Sequence, residues 1–170
     1  MASEYKLVND VLTKVWRRNL DPDDTLFSEP AGTDGLSVTG GKLAVERGHW
    51  VQRNAAGKAV AAGFGASAAN AWPVWSGGKG RFDTVGGITV VYGDHVAEST
   101  GFLASPTNGA YAPGIELTLR DDGDGNAVLD SAASGEFIVA HVEAAPSGVS
   151  VKFPDGLLEI STLHAGYEKV

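Results

Sequence analysis

The residues of this chain that could do chemistry fall into a few short constellations, each with a definite spacing. Asp121-Asp122-Gly123-Asp124-Gly125-Asn126 puts carboxylates at alternate positions, as a calcium loop does. With Asp122, Asp124 and Asn126 at loop positions 1, 3 and 5, position 6 is Ala127 where an EF-hand turns on glycine. Position 12 is then Ala133 where a bidentate glutamate belongs. The spacing predicts a polar hairpin turn. Asp94, His95 and Ser99 supply the residue types of a nucleophilic triad, yet no G-x-S-x-G elbow surrounds Ser99. His49, His95, His141 and His164 show no metal-ligand spacing. Glu136 and Glu143 flank one strand-like segment; seven residues apart they point to opposite faces of a regular strand. Gly77-Gly78-Lys79-Gly80 does not match the phosphate-cradling G-x-x-x-x-G-K-[ST]. Trp72-Pro73-Val74-Trp75 sets two indoles three residues apart, suited to a core, a subunit interface or a sugar platform. The spacings give no catalytic residue, no cofactor-binding residue and no metal ligand set.

The elements that must position these side chains read as strands. Ile115-Glu116-Leu117-Thr118-Leu119-Arg120 and Val149-Ser150-Val151-Lys152-Phe153 alternate apolar with polar, the period of a half-buried strand. Phe137-Ile138-Val139-Ala140 and Ile88-Thr89-Val90-Val91-Tyr92 are largely apolar runs, the pattern of strands covered on both faces. Further strands are expected near 36–39, 42–47 and 49–53, with Gly40-Gly41 as a hairpin turn. Residues 54–80 read as loops with short strands. The 23 glycines are roughly twice the ordinary share of ~7%, and they fall between strand segments, so they mark tight turns. Short strands with turns every 8–12 residues predict an all-β domain, a small barrel or sandwich.

Residues 4–18 break this pattern. Leu7, Val8, Val11, Leu12, Val15 and Trp16 share one side at 3.6 residues per turn, which predicts an amphipathic helix that Ser3 caps and Asp21-Pro22 stops. Its apolar face packs on the chain's own core or docks on a neighbouring subunit. Residues 21–35 are polar and turn-rich and read as a linker. The chain thus divides into a helix or arm with linker over 1–35 and a β-domain over 36–170. With 170 residues, 43% apolar composition and no cysteine, the domain can bury a core without disulfides. No apolar segment at the start resembles a secretory signal, and no run approaches a membrane span, so synthesis in a cytoplasm is expected. Residues 1–60 carry eight basic and eight acidic side chains, so the net charge of −8 belongs to the remainder. An acidic body repels phosphate, which disfavours nucleic-acid binding.

Residues 86–143 support one further expectation. A strand ends in glycine and a polar turn (Val90-Val91-Tyr92-Gly93), and an aromatic-glycine approach follows (Tyr111-Ala112-Pro113-Gly114). After the alternating strand and acidic turn, a small-residue segment leads into Gly135-Glu136-Phe137-Ile138-Val139-Ala140. This order resembles small β-barrel virion proteins of tailed bacteriophages, above all capsid decoration (cement) proteins. The resemblance implies a non-enzymatic protein of the outer capsid surface, without cofactor, that binds the major capsid protein and self-associates as a dimer or trimer. The apolar helix residues together with Trp72 and Trp75 would make the partner contacts. A tail or baseplate component, or a carbohydrate-binding sandwich using Trp50, Trp72 or Trp75, are the alternatives.

Overall fold

The computed structural model describes residues 12–17, 26–30, 48–55, 59–76, 87–91 and 95–170. In chain order the strands are β1 (Leu12–Arg17), β2 (Leu26–Pro30), β3 (Trp50–Arg53), β4 (Ala59–Ala61), β5 (Ala71–Ser76) and β6 (Gly87–Val91). They continue as β7 (His95–Ser99), β8 (Glu116–Asp121), β9 (Ala127–Ser131), β10 (Phe137–Ser147) and β11 (Leu157–Glu168). A single 3₁₀ turn at Gly65–Ser67 is the one helical element among the described residues. The strands form two antiparallel sheets, ordered β1-β7-β11-β10-β8-β9 and β2-β6-β5-β3-β4.

Side-chain alternation explains why these segments make sheets. In β8, Leu117 and Leu119 turn into the core, while Glu116, Thr118 and Arg120 take the other face. Both sheets feed one apolar cluster: Trp50, Ala71 and Val91 from the smaller sheet meet Ala97, Leu119, Leu129, Leu158 and Ile160 from the larger. Each such large side chain contributes about 1.5–3 kcal/mol when fully buried, so the leucines and isoleucine anchor the fold.

The edge of β9 is covered. Residues 101–111 run along it as a strap: Phe102 bridges Leu129 in parallel, Leu103 N–H donates to the Leu129 carbonyl at 2.9 Å, and Leu129 N–H donates to the Gly101 carbonyl at 2.8 Å. The Tyr111 hydroxyl ties the strap down by donating to the Leu103 carbonyl at 2.8 Å. Its ring meets Phe102 edge-on, with centroids 5.5 Å apart. Cover of this kind removes the open backbone that makes an edge strand prone to pair with other chains.

Three sequence expectations are corrected. The helix expected over 4–18 gives way, at Leu12–Arg17, to strand β1, in which Val15 stands opposite Ala97 and Trp16 opposite Val96. The edge of β7 offers backbone partners, and Thr13, Val15 and Trp16 suit a pleated strand as well as their spacing suits a helix. Residues Leu26–Pro30, inside the expected linker, form β2 against β6. Val149–Phe153, expected as a strand, is the loop that closes the β10–β11 hairpin. There the Ser150 N–H donates to the Phe153 carbonyl and the Phe153 N–H to Ser150 Oγ, which curls the segment before it can join a sheet. The expected strands at 36–39 and 42–47 and the turn at Gly40-Gly41 lie outside the described residues.

Candidate functional site

The densest polar arrangement centres on Arg120. From β8 its guanidinium grips Glu136 with both terminal nitrogens, Nη1 to Oε1 and Nη2 to Oε2, the latter at 2.9 Å. Its Nε donates to Asp130 Oδ2 across the β8–β9 ladder at 3.2 Å. Asp130 is 0% exposed, and its other oxygen accepts the N–H of Thr107 from the strap at 2.9 Å and that of Ser131 at 2.8 Å. Burial alone would push this carboxyl up, but the hydrogen bonds from Thr107, Ser131 and Arg120 outweigh it and hold the group below its ordinary value. Glu136 Oε2 also accepts the Ala133 N–H at 2.7 Å. From the smaller sheet's side, the 3₁₀ turn brings Gly65 onto this pair with a positive φ of +53°. A Cβ there would sit 3.1 Å from Glu136 Oε1, so the close approach needs glycine.

A second chain of polar contacts runs over β8, β10 and β11. The Tyr167 hydroxyl donates to Glu116 Oε1 at 2.6 Å. That uses the phenol proton, so His141 Nε2, 2.9 Å from the same oxygen, is the donor in its own contact and carries a hydrogen. Lys169 Nζ closes the chain on Glu116 Oε2 at 3.2 Å and also donates to the Ala132 carbonyl at 2.9 Å. The Tyr167 bond, then the lysine, hold Glu116 below its ordinary value. Desolvation and Glu116 push Tyr167 up to about 12. Glu116 therefore stays charged and Tyr167 neutral through the neutral range. Tyr111, raised by burial and by Asp130, stays neutral as well.

The residues singled out in the sequence are distributed as follows. In the acidic turn, Asp121 Oδ1 accepts the N–H groups of Gly123 and Gly125, both at 2.8 Å. Asp122 accepts those of Asp124 and Asn126 and the Asn126 amide. These carboxylates are spent on their own backbone, the expected polar turn between β8 and β9. Among the described residues no three His, Asp or Glu side chains are grouped to hold a metal ion. His95 and Ser99 are buried on β7, where Ser99 Oγ accepts the Gly101 N–H at 3.0 Å; Asp94 lies outside the described residues. His49 is buried, and His164 is on β11. Glu136 joins Arg120, while Glu143 stands along β10 without joining it. Residues 77–80 and Leu7, Val8 and Val11 lie outside the described residues; Leu12, Val15 and Trp16 are on β1.

Trp72 is 7% exposed and Trp50 2%, so both are buried side chains and neither presents an open sugar platform. Trp75 is on β5.

Sequence reading missed the Arg120 cluster, though one signal was there. Arg120 is the only lysine or arginine between Arg81 and Lys152, a stretch rich in carboxylates. The Tyr167 chain left no such trace, because it joins residues 51 and 26 positions apart. Compared with known protein families, curated proteins and solved structures, the chain matches none.

Proposed function

We propose that this chain is a non-enzymatic virion structural protein that decorates a bacteriophage capsid and stabilises it by binding across major capsid protein subunits. One observation carries the reading beyond the sequence resemblance: where apolar surface is exposed. The polar side chains of the two networks satisfy one another. The longest hairpin, β10–β11, holds Val149 at 72% and Val151 at 105% exposure at its tip. A binding protein needs a rigid body that presents apolar contacts in this way, and it needs no proton-transfer centre. In this reading the two sheets close into a small barrel or sandwich, and the protein self-associates on the outer shell.

The test is electron microscopy of particles that contain the chain, combined with shells lacking it. Undecorated shells should open at lower temperature than decorated ones, because a ligand specific for the assembled state stabilises that state by mass action. Re-added protein should restore resistance and saturate at a fixed ratio to the major capsid subunit. Particles carrying the chain only in the tail would replace decoration with a tail or baseplate role.

A further inference from the structure

The strap over β9 ends in Asn108-Gly109, and Asn108 is the only asparagine of the chain followed by glycine. The other asparagines precede Asp10, Leu20, Ala55, Ala71 and Ala127, whose side chains crowd the following peptide nitrogen. Glycine removes that crowding and lets the backbone adopt many more conformations. Gly109 has φ +81°, and nothing lies within 4 Å of where its Cβ would be. Its N–H makes no hydrogen bond among the described residues. Both residues are exposed.

We propose that Asn108 is a self-modification site whose deamidation loosens the strap over the β9 edge. The Gly109 nitrogen attacks Asn108 Cγ and the Cγ–Nδ2 bond breaks. The Gly109 amide proton leaves with the amide as ammonia, and a cyclic imide remains. Water then adds to either imide carbonyl, giving an aspartyl or isoaspartyl residue at position 108. No oxidant, enzyme or cofactor enters the balance.

The consequence follows from what Asn108 holds. Its Nδ2 donates to the Ser131 carbonyl at 3.0 Å, and its backbone N–H donates to Ser131 Oγ at 2.7 Å. In the aspartyl product the donor is gone and an anionic oxygen faces a carbonyl oxygen instead; in the isoaspartyl product the donor is equally gone and the main chain is longer by one carbon. The next residue along β9, Asp130, is already a buried anion that takes the Thr107 N–H from the same strap. Two anions and one lost donor act on a five-residue segment. The strap then lifts from β9, whose residues are all buried while it is in place.

The experiment is ageing of the intact protein at neutral pH and body temperature. Peptide mapping follows amide-to-acid conversion, and hydrogen exchange is read on the same samples. Conversion should appear at Asn108 well before Asn54, Asn70 or Asn126. In the converted fraction the Leu129 amide, which bonds the strap, should exchange about tenfold faster, the effect of losing roughly one hydrogen bond's worth of stability. Freshly made Asn108→Asp should show the same faster exchange without ageing. Asn108→Gln, whose longer side chain cyclises poorly, should keep its amide through the same period. Conversion at Asn108 no faster than at Asn54, Asn70 and Asn126 would overturn the site. Unchanged Leu129 exchange in both the aged protein and Asn108→Asp would overturn the loosening.

Discussion

Arg120 links three segments with one side chain, and removing it leaves Glu136 and the buried Asp130 without the cation they share. Arg120→Ala is expected to cost about 3 kcal/mol, near the lower end for a broken buried pair because the guanidinium keeps 27% exposure. The midpoint of urea unfolding measures this, and a change under about 0.5 kcal/mol would rank the cluster with ordinary surface ion pairs. The acid limb has a definite sign. Asp130 and Glu116 are held below their ordinary values in the fold, so their stabilisation is present above about pH 4 and is lost as pH falls through the folded values. Asp130→Asn should flatten that limb while lowering stability at neutral pH. Tyr167 runs the other way. Raised to about 12, it contributes stability that is complete below about pH 10 and fades as pH rises through 12. An ultraviolet titration should find two phenols, Tyr111 and Tyr167, ionising late, and Tyr167→Phe should remove the earlier of these two late steps.

At the level of elements, the β10–β11 hairpin separates its closure from its tip. Gly156 has φ +79°, and a Cβ there would stand 2.6 Å from the Ser147 carbonyl oxygen. Gly156→Ala should therefore cost about 1–3 kcal/mol by strain alone. Val149→Ser with Val151→Ser should leave unfolding within about 0.5 kcal/mol, because exposed side chains lose no packing. The same pair should weaken shell binding if the tip is the contact. Removal of residues 1–20 should lower the melting temperature, because it deletes β1 from the edge of the larger sheet; an unchanged melting temperature would show β1 to be dispensable.

The strands of the middle and C-terminal part were legible in the sequence. Leu117 and Leu119 alternate with charged and polar neighbours, and glycine turns bound each segment. Three segments were not legible, for separate reasons. The apolar residues of 12–16 satisfy a helical spacing and a strand equally, and only the edge of β7 decides between them. Leu26-Phe27-Ser28-Glu29-Pro30 is too short and too polar to stand out from its turn-rich flanks. Val149–Phe153 alternates correctly but lacks a surface to cover, and period alone does not reveal that. The Arg120 cluster needs the pairing of β8 with β9 and the return of the chain at Glu136, neither of which spacing encodes.

For the whole molecule, far-UV circular dichroism should give a strongly β-type spectrum. A helix content above half would contradict the two sheets. The sheets also impose an order in time. β1 closes on β7, some eighty positions later in the chain, and β7 in turn lies against β11 near the end. β2 must likewise wait for β6. Among the described strands β3–β4, β5–β6, β8–β9 and β10–β11 pair with the next strand along the chain, so these hairpins can form while the rest of the chain searches. Ends that meet late make for slow acquisition of structure, in the millisecond-to-second range typical of such topologies. A ribosome releasing this chain from its N-terminus therefore holds β1 and β2 without their partners until β6 and β7 have emerged, and β7 then waits for β11. Hairpins form first, and the larger sheet closes only when β11 has emerged to join β7.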